Sequence, residues 1–309
     1  MGGLRHLKYI NSHLGDLTGR TIVITGANSG IGFYASRYLA YKGATIVMAC
    51  RNQKKAELAK SLILEEIKNA NIDILSLDQA SFSSIEKFAE ELKGKYAKID
   101  SFVFNAGIFH PKKDAVTSDG YPLTIGTNYL GTFYLMELLM PYFKQMDKVN
   151  VVCVGTIANH NARQFSAEKY FFNHDLTLYD QYALSKRLMM SNHYFYMNQP
   201  SMNGIFSMTH PGIASTNIVS GSSNSFPRWF SRLARAFMSF FMHNPEKAAL
   251  GIVLCASNEG NHGQYLAPRG LWEIRGYPVV KKMPKRLMSE ADAIHRETLA
   301  YFHSIGKLQ

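Results

Sequence analysis

Tyr182 and Lys186 stand four residues apart in a helical pattern, so their side chains share one face about one turn from each other. A phenol titrates near ~10 and is a poor base at neutral pH, but an ammonium within ~4–6 Å lowers that value by ~1–3 units, worth roughly 1.4–4 kcal/mol. Such a pair makes Tyr182 a usable acid or base. The same spacing belongs to any amphipathic helix, as Tyr179 and Ala183 show nearby, so the pair acquires meaning only from its company. That company sits just beyond the apolar runs, where an α/β protein keeps its chemistry. It comprises Cys50 and Arg51, Asp78, Asn105-Ala106-Gly107, Gly155 and Thr156, and His210-Pro211-Gly212, with Asn128 in an intervening helix.

The elements that must position these residues are organised around the stretch 21–32, Thr-Ile-Val-Ile-Thr-Gly-Ala-Asn-Ser-Gly-Ile-Gly. A β-branched run breaks at Gly26 and resumes after Gly30 and Gly32 in a helical pattern, which reads as strand, tight turn, helix. Gly26 allows the turn out of the strand, Gly30 removes a side chain that would keep a pyrophosphate from the backbone, and Gly32 lets the helix pack closely on the sheet. The unpaired N–H groups and dipole of the helix then favour a phosphate there. Asn28, Ser29 and Ile31 complete this cofactor-binding turn. Glycines also close ordinary β–α loops, so the turn alone is a weak signal.

Further apolar runs at 45–50, 72–78, 100–105, 150–154 and 204–209 alternate with helical patterns over about 53–69, 84–96, 129–144 and 180–198. Strands of continuous apolar character between helices predict an α/β fold, a doubly wound (Rossmann) and mostly parallel sheet with helices on both faces. No repeat, low-complexity tract or linker divides the chain, so a single domain over 1–309 is expected. Residues 1–17 read as an N-terminal arm, 213–243 as a substrate lid, and 284–309 as a tail with a helix over about 289–303.

In this combination the chain resembles the short-chain dehydrogenase/reductase family, most closely its retinol-dehydrogenase-type members, over about residues 17–270. The family's Thr-Gly-x-x-x-Gly-x-Gly falls on 25–32, its Asn-Ala-Gly on Asn105–Gly107, its helix asparagine on Asn128, its Tyr-x-x-x-Lys on Tyr182 and Lys186, and its Pro-Gly on Pro211 and Gly212. The resemblance implies a catalytic set of Asn128, a hydroxyl residue, Tyr182 and Lys186. Tyr182 would exchange the substrate proton while hydride moves to or from nicotinamide, Lys186 would also hold the nicotinamide ribose, and Asn128 would help hold a water-linked proton path. Where the family usually has Ser-Ser, this chain has Gly155 and Thr156, so the hydroxyl role is carried onto Thr156, whose methyl narrows the site and stiffens χ1. Thr216 is expected among the cofactor contacts. His160, four residues past Thr156, reads as a loop histidine.

An NAD site normally closes its second strand with Asp or Glu, which repels a 2′-phosphate; here Cys50 and Arg51 stand there, so NADP is expected, with NAD as the alternative. Asp78 would lie beside the adenine, with Gln79 an unusual neighbour. The lid carries Phe226, Trp229, Phe230, Leu233, Phe237, Phe240 and Phe241, more aromatic surface than a small polar substrate needs. The expected substrate is therefore a bulky apolar alcohol or carbonyl compound. Arg228, Arg232 and Arg235 share one face, so 226–243 either touches a membrane peripherally or packs on the core.

At 309 residues with 46% hydrophobic and 18% charged content the chain is an ordinary globular one. No run approaches the ~18 apolar residues of a membrane span and no signal peptide is evident, so a soluble, cytoplasmic protein is expected. Cys50, Cys153 and Cys255 are too few and too embedded in apolar runs for a disulfide framework or a metal site, and read as buried thiols. The net charge of +11 is dispersed, which gives no support to a nucleic-acid partner. Monomer and homodimer both remain open. Two rival functions stand beside the alcohol/carbonyl oxidoreductase: a catalytically impaired NADP-binding sensor of the same fold, suggested by Thr156, and a reductase of enone or pigment double bonds.

Overall fold

The computed structural model describes residues 4–109, 115–158, 171, 176–199, 204–212, 244–257 and 262–309. Eight strands, β1 (Thr21–Thr25), β2 (Thr45–Cys50), β3 (Ile72–Ser76), β4 (Ser101–Phe104), β5 (Asn150–Val154), β6 (Ile205–Thr209), β7 (Tyr265–Pro268) and β8 (Pro278–Lys281), form one sheet in the order β3-β2-β1-β4-β5-β6-β7-β8. All neighbours pair in parallel except β7 and β8, which are antiparallel. The chain reverses its winding at β1, whose two neighbours are β2 and β4. The loops leaving β1 and β4 therefore diverge and open a crevice at the carboxyl end of the sheet.

Around the sheet lie α1 (Leu7–His13), α2 (Gly30–Tyr41), α3 (Gln53–Glu66), α4 (Phe82–Lys95), α5 (Leu123–Ile125), α6 (Gly131–Lys144), α7 (Leu178–Met197), α8 (Pro245–Ala248), α9 (Leu250–Ala256) and α10 (Lys285–Ser304). Alternate strand residues point to opposite faces and enter two separate cores. Val23, Val47, Phe102, Val151 and Phe206 pack beneath α4, α6, α7 and α10. Ile22, Ile24, Ile46, Met48, Val103 and Val152 pack beneath α2, α3 and α9. Cys50, Cys153 and Cys255 are buried free thiols.

The mostly parallel doubly wound sheet agrees with the sequence-based expectation. The helix read over 129–144 starts earlier, with α5 and then a π-helical turn at Gly126–Leu130, before α6. The tail helix begins at Lys285 rather than near 289. The short elements α8, α9, β7 and β8 had no sequence-based counterpart. β7 and β8 are four residues each and contain prolines, too little for a period-two pattern to register. The lid at 213–243, with Thr216, and His160 lie outside the described residues.

Candidate active site

The glycine turn builds a cradle at the crevice. Gly26 has φ +67, a conformation that glycine adopts without steric penalty. A Cβ on Gly32 would lie 2.6 Å from both the Gly26 carbonyl oxygen and the Asn105 side-chain nitrogen, so α2 approaches the β1 and β4 loops as closely as only glycine permits. Ser29, the N-cap of α2, makes no side-chain capping bond, which leaves first-turn N–H groups of a twelve-residue helix available to an anion.

Thr25 ties the two diverging loops together. Its buried hydroxyl accepts from the backbone N–H groups of Asn105 (3.0 Å) and Ala106 (2.9 Å), while the Asn105 side chain donates to the Thr25 carbonyl at 2.8 Å. The cleft so formed has a volume of about 370 Å³. Gly26, Asn28, Ser29, Gly30, Ile31, Gly32, Arg51, Asp78, Asn105, Ala106, Gly107, Tyr182, Lys186 and Pro211 all line it. A cradle that a single Cβ would fill, together with an uncapped helix start, fits a pyrophosphate-bearing cofactor.

At one end of the cleft Arg51 pairs with Asp78 at 3.8 Å, and the arginine side chain is 64% exposed. A pair this exposed contributes at most about 1 kcal/mol, so Arg51 is free to be drawn to a stronger anion. Lys55, on the first turn of α3 and also lining the cleft, adds a second cation that sequence reasoning did not assign. Gln79 was noted only as unusual. Its side chain lies buried in the cleft wall and donates to the Thr132 hydroxyl at 2.7 Å, and its Oε1 has no partner among the described residues.

At the other end, α7 carries Tyr182 and Lys186 to the end of β5. Lys186 Nζ donates to the Val154 carbonyl at 3.1 Å, and burial lowers its pKa to about 8. A depression of that size corresponds to roughly 3 kcal/mol against the charged form. The Tyr182 pKa is raised, chiefly by burial, with the neighbouring Thr156 hydroxyl acting in the opposite sense. The depression expected from Lys186 does not arise: the ammonium is turned to the Val154 carbonyl and desolvation sets the direction. Asn128 lies in the π-helical turn and locks the loop after β4 in both directions. Its Oδ1 accepts from the Ile108 N–H at 2.8 Å, and its Nδ2 donates to the Ile108 carbonyl at 2.9 Å and to the Ser185 hydroxyl at 3.0 Å.

Gly155 has a local cause: a Cβ there would meet the Met190 sulfur at 2.4 Å, so the thioether occupies the space a serine would need. Thr156 is buried beside it, and its hydroxyl also accepts from the Ala158 N–H at 3.3 Å. Phe109 stands edge-on to the Tyr182 ring at 4.6 Å and makes one wall next to the phenol apolar. Sequence reasoning missed it because it lies two residues past the Asn-Ala-Gly motif. Gly212, φ +74, follows Pro211 at the rim, and the buried His210 joins Glu273 at 2.8 Å. The described residues contain no group of His, Cys, Asp and Glu that could hold a metal ion.

This sheet, with its cradle at the winding reversal and a tyrosine–lysine helix facing it, defines a dinucleotide-binding α/β protein. A family model for short chain dehydrogenase matches residues 20–170. Retinol dehydrogenase 11 of Homo sapiens is 31% identical over 249 residues, covering 79% of this chain and 74% of that protein. The WW domain-containing oxidoreductase of Gallus gallus is 40% identical over 141 residues. That match takes in 46% of this chain and 34% of the relative, so the chain spans about a third of it. A short chain dehydrogenase from Shigella flexneri 2a str. 301, crystallised in complex with NADP, superposes with TM-score 0.56 at 21% identity, covering 79% of this chain and 92% of that one. The chain belongs to the short-chain dehydrogenase/reductase family and is similar to its retinol-dehydrogenase members. Among the described residues no helix is long and apolar enough to cross a membrane.

Proposed function

We propose that the chain, acting as one domain over 1–309, is an NADP-dependent oxidoreductase that interconverts an alcohol and a carbonyl on a bulky apolar substrate. The observation that carries this reading is the placement of Tyr182 and Lys186, one turn apart on α7, at one end of a glycine-walled cleft. A nicotinamide cofactor, when bound, supplies or takes up the hydride. The chain's own residues do the rest. The α2 N-terminus and the Gly26–Gly32 cradle bind pyrophosphate, while Asn105, Ala106 and Gly107 form the opposite wall and Pro211, Gly212 and Thr216 add further cofactor contacts. Tyr182 transfers the proton at the substrate oxygen, Thr156 holds that oxygen, and Lys186 holds the ribose and stabilises the phenolate. Asn128 fixes the Ile108–Phe109 backbone so that the wall stays in register with Tyr182. Phe109 favours an apolar group next to the reacting carbon. The presence of a hydroxyl at Thr156, near enough to Tyr182 to act on its titration, supports catalysis over the impaired-sensor alternative. Purified protein with NADPH and a panel of aldehydes, ketones and enones tests the reading. Oxidation of NADPH with bulky apolar aldehydes or ketones is the expected result, while consumption with enones alone would replace it.

Arg51 is proposed to bind the 2′-phosphate with Lys55. A charge-assisted contact contributes roughly 1.5–3 kcal/mol, more than the exposed pair with Asp78, so the phosphate displaces the carboxylate. Arg51→Asp is expected to weaken NADPH by about one to two orders of magnitude and NADH by far less, measured by titrating each cofactor into the protein. Equal losses for both would remove Arg51 from 2′-phosphate recognition.

The raised pKa of Tyr182 sets the sign of the pH dependence. The protonated phenol is the resting form at neutral pH, so reductive kcat/KM should stay level there. Oxidative kcat/KM should climb with pH as the phenolate becomes populated. A reductive profile that already falls through neutrality would show that the phenol is deprotonated in the working enzyme.

A further inference from the structure

We propose that the turn between β7 and β8 is a membrane-docking wedge, with Leu271 and Trp272 entering the interfacial layer of an anionic lipid surface. These two are the most exposed large apolar side chains among the described residues, at 77% and 73%. The turn holds them outward by its construction. Trp272 and Glu273 have φ of 51 and 57, a left-handed conformation that non-glycine residues avoid. Ties on either side keep it. Arg269 donates its N–H to Tyr277 at 2.9 Å and Gly270 donates to Arg275 at 2.9 Å. The Glu273 carboxylate is gripped by buried His210 at 2.8 Å and approached by Lys281 at 3.7 Å.

The surroundings suit lipid. Residues 269–286 contain Arg269, Arg275, Lys281, Lys282, Lys285 and Arg286 against a single acidic residue, Glu273, in a chain of net charge +11. Tryptophan prefers the headgroup level of a bilayer and leucine the layer beneath, and basic neighbours add attraction to anionic lipid. A stable protein partner would need about 800 Å² of matching surface per side, which two side chains on a narrow turn do not provide. The position also fits. β7 runs parallel to β6, so the turn leaves the sheet at the same end as the cleft. A Cβ on Gly212 would lie 2.1 Å from the Ile274 carbonyl oxygen, so the turn packs directly behind Pro211 at the rim. Docking would set the mouth of the site against the phase that holds apolar compounds. That last step rests on the proposed apolar substrate, whereas the wedge does not, because docking is read without turnover.

The test uses sedimentation with vesicles of phosphatidylcholine with or without phosphatidylserine. The chain has two tryptophans, Trp229 and Trp272, so Trp229→Phe leaves Trp272 as the sole reporter. Three results are expected: pelleting that requires phosphatidylserine and fades with salt; a blue shift of Trp272 emission quenched by acyl-brominated lipid; and about tenfold weaker pelleting of Leu271→Asp/Trp272→Asp with an unchanged unfolding midpoint. Pelleting retained by the double variant, pelleting equal on phosphatidylcholine alone, or Trp272 emission that lipid leaves unchanged would each overturn the proposal. So would attachment that requires an added protein.

Discussion

Tyr182→Phe is expected to lower turnover by roughly 10²–10⁴-fold while leaving NADPH affinity within a fewfold, because the substitution removes only the transferable proton. The ring itself stays where it is. It packs edge-on against Phe109 at 4.6 Å and is half-buried in the cleft wall, a setting that phenylalanine reproduces. Lys186 keeps its bond to the Val154 carbonyl, so the ammonium proposed to hold the ribose remains in place. Steady-state kinetics with the best carbonyl substrate, alongside a fluorescence titration of NADPH, separates the two quantities. A fall of this size corresponds to about 3–5 kcal/mol of transition-state stabilisation, too large to arise from repacking an unchanged ring. Unchanged turnover would take Tyr182 out of the proton path. Loss of NADPH binding together with turnover would show instead that the phenol acts through the cofactor pocket.

The parts of this molecule that were legible in the sequence are those whose chemistry and local geometry coincide. The 21–32 stretch fixes its own conformation: β-branched residues favour the strand, Gly26 takes a positive φ, and Gly32 is required by the approach of Asn105. Tyr182 and Lys186 were readable because a helix translates a spacing of four into one face. Residues brought to the site by tertiary placement carried no such signal. Lys55 looks like any charged residue on a solvated helix, and only the crossing of β2 and α3 at the cleft makes it a neighbour of Arg51. Phe109 faces Tyr182 because Asn128 holds the Ile108 peptide from an element twenty residues away. The π-helical turn around Asn128 has no sequence pattern of its own. Gly131 accompanies it, with the Gln79 carbonyl oxygen 2.0 Å from where its Cβ would be. The Trp272 turn was missed for the opposite reason: its conformation is imposed from His210 and the β7–β8 ladder, against the local preference of Trp and Glu.

Thr156→Val should lower kcat by about two orders of magnitude, the scale for deleting one donor aimed at a developing oxyanion. Valine keeps the branched shape at a buried position, so the fold loses little, but the O–H near Tyr182 disappears. Two effects then add. The substrate oxygen loses a donor, and the phenol loses the neighbouring hydroxyl that counters its desolvation, so its pKa rises further and the oxidative direction suffers more than the reductive one. Cofactor affinity should barely move, because Thr156 is not among the residues lining the cleft. Thr156→Ser separates the hydroxyl from the methyl: it keeps the donor, frees χ1 and vacates one methyl's volume, so activity should be retained or raised, with bulkier ketones admitted. The missing methyl should lower stability by about 1 kcal/mol, visible as a small drop in Tm. Wild-type protein inactive on every carbonyl compound, with Thr156→Ser active, would favour the impaired-sensor alternative. Full activity in Thr156→Val would mean that another group holds the substrate oxygen, and the hydroxyl role would have to be reassigned.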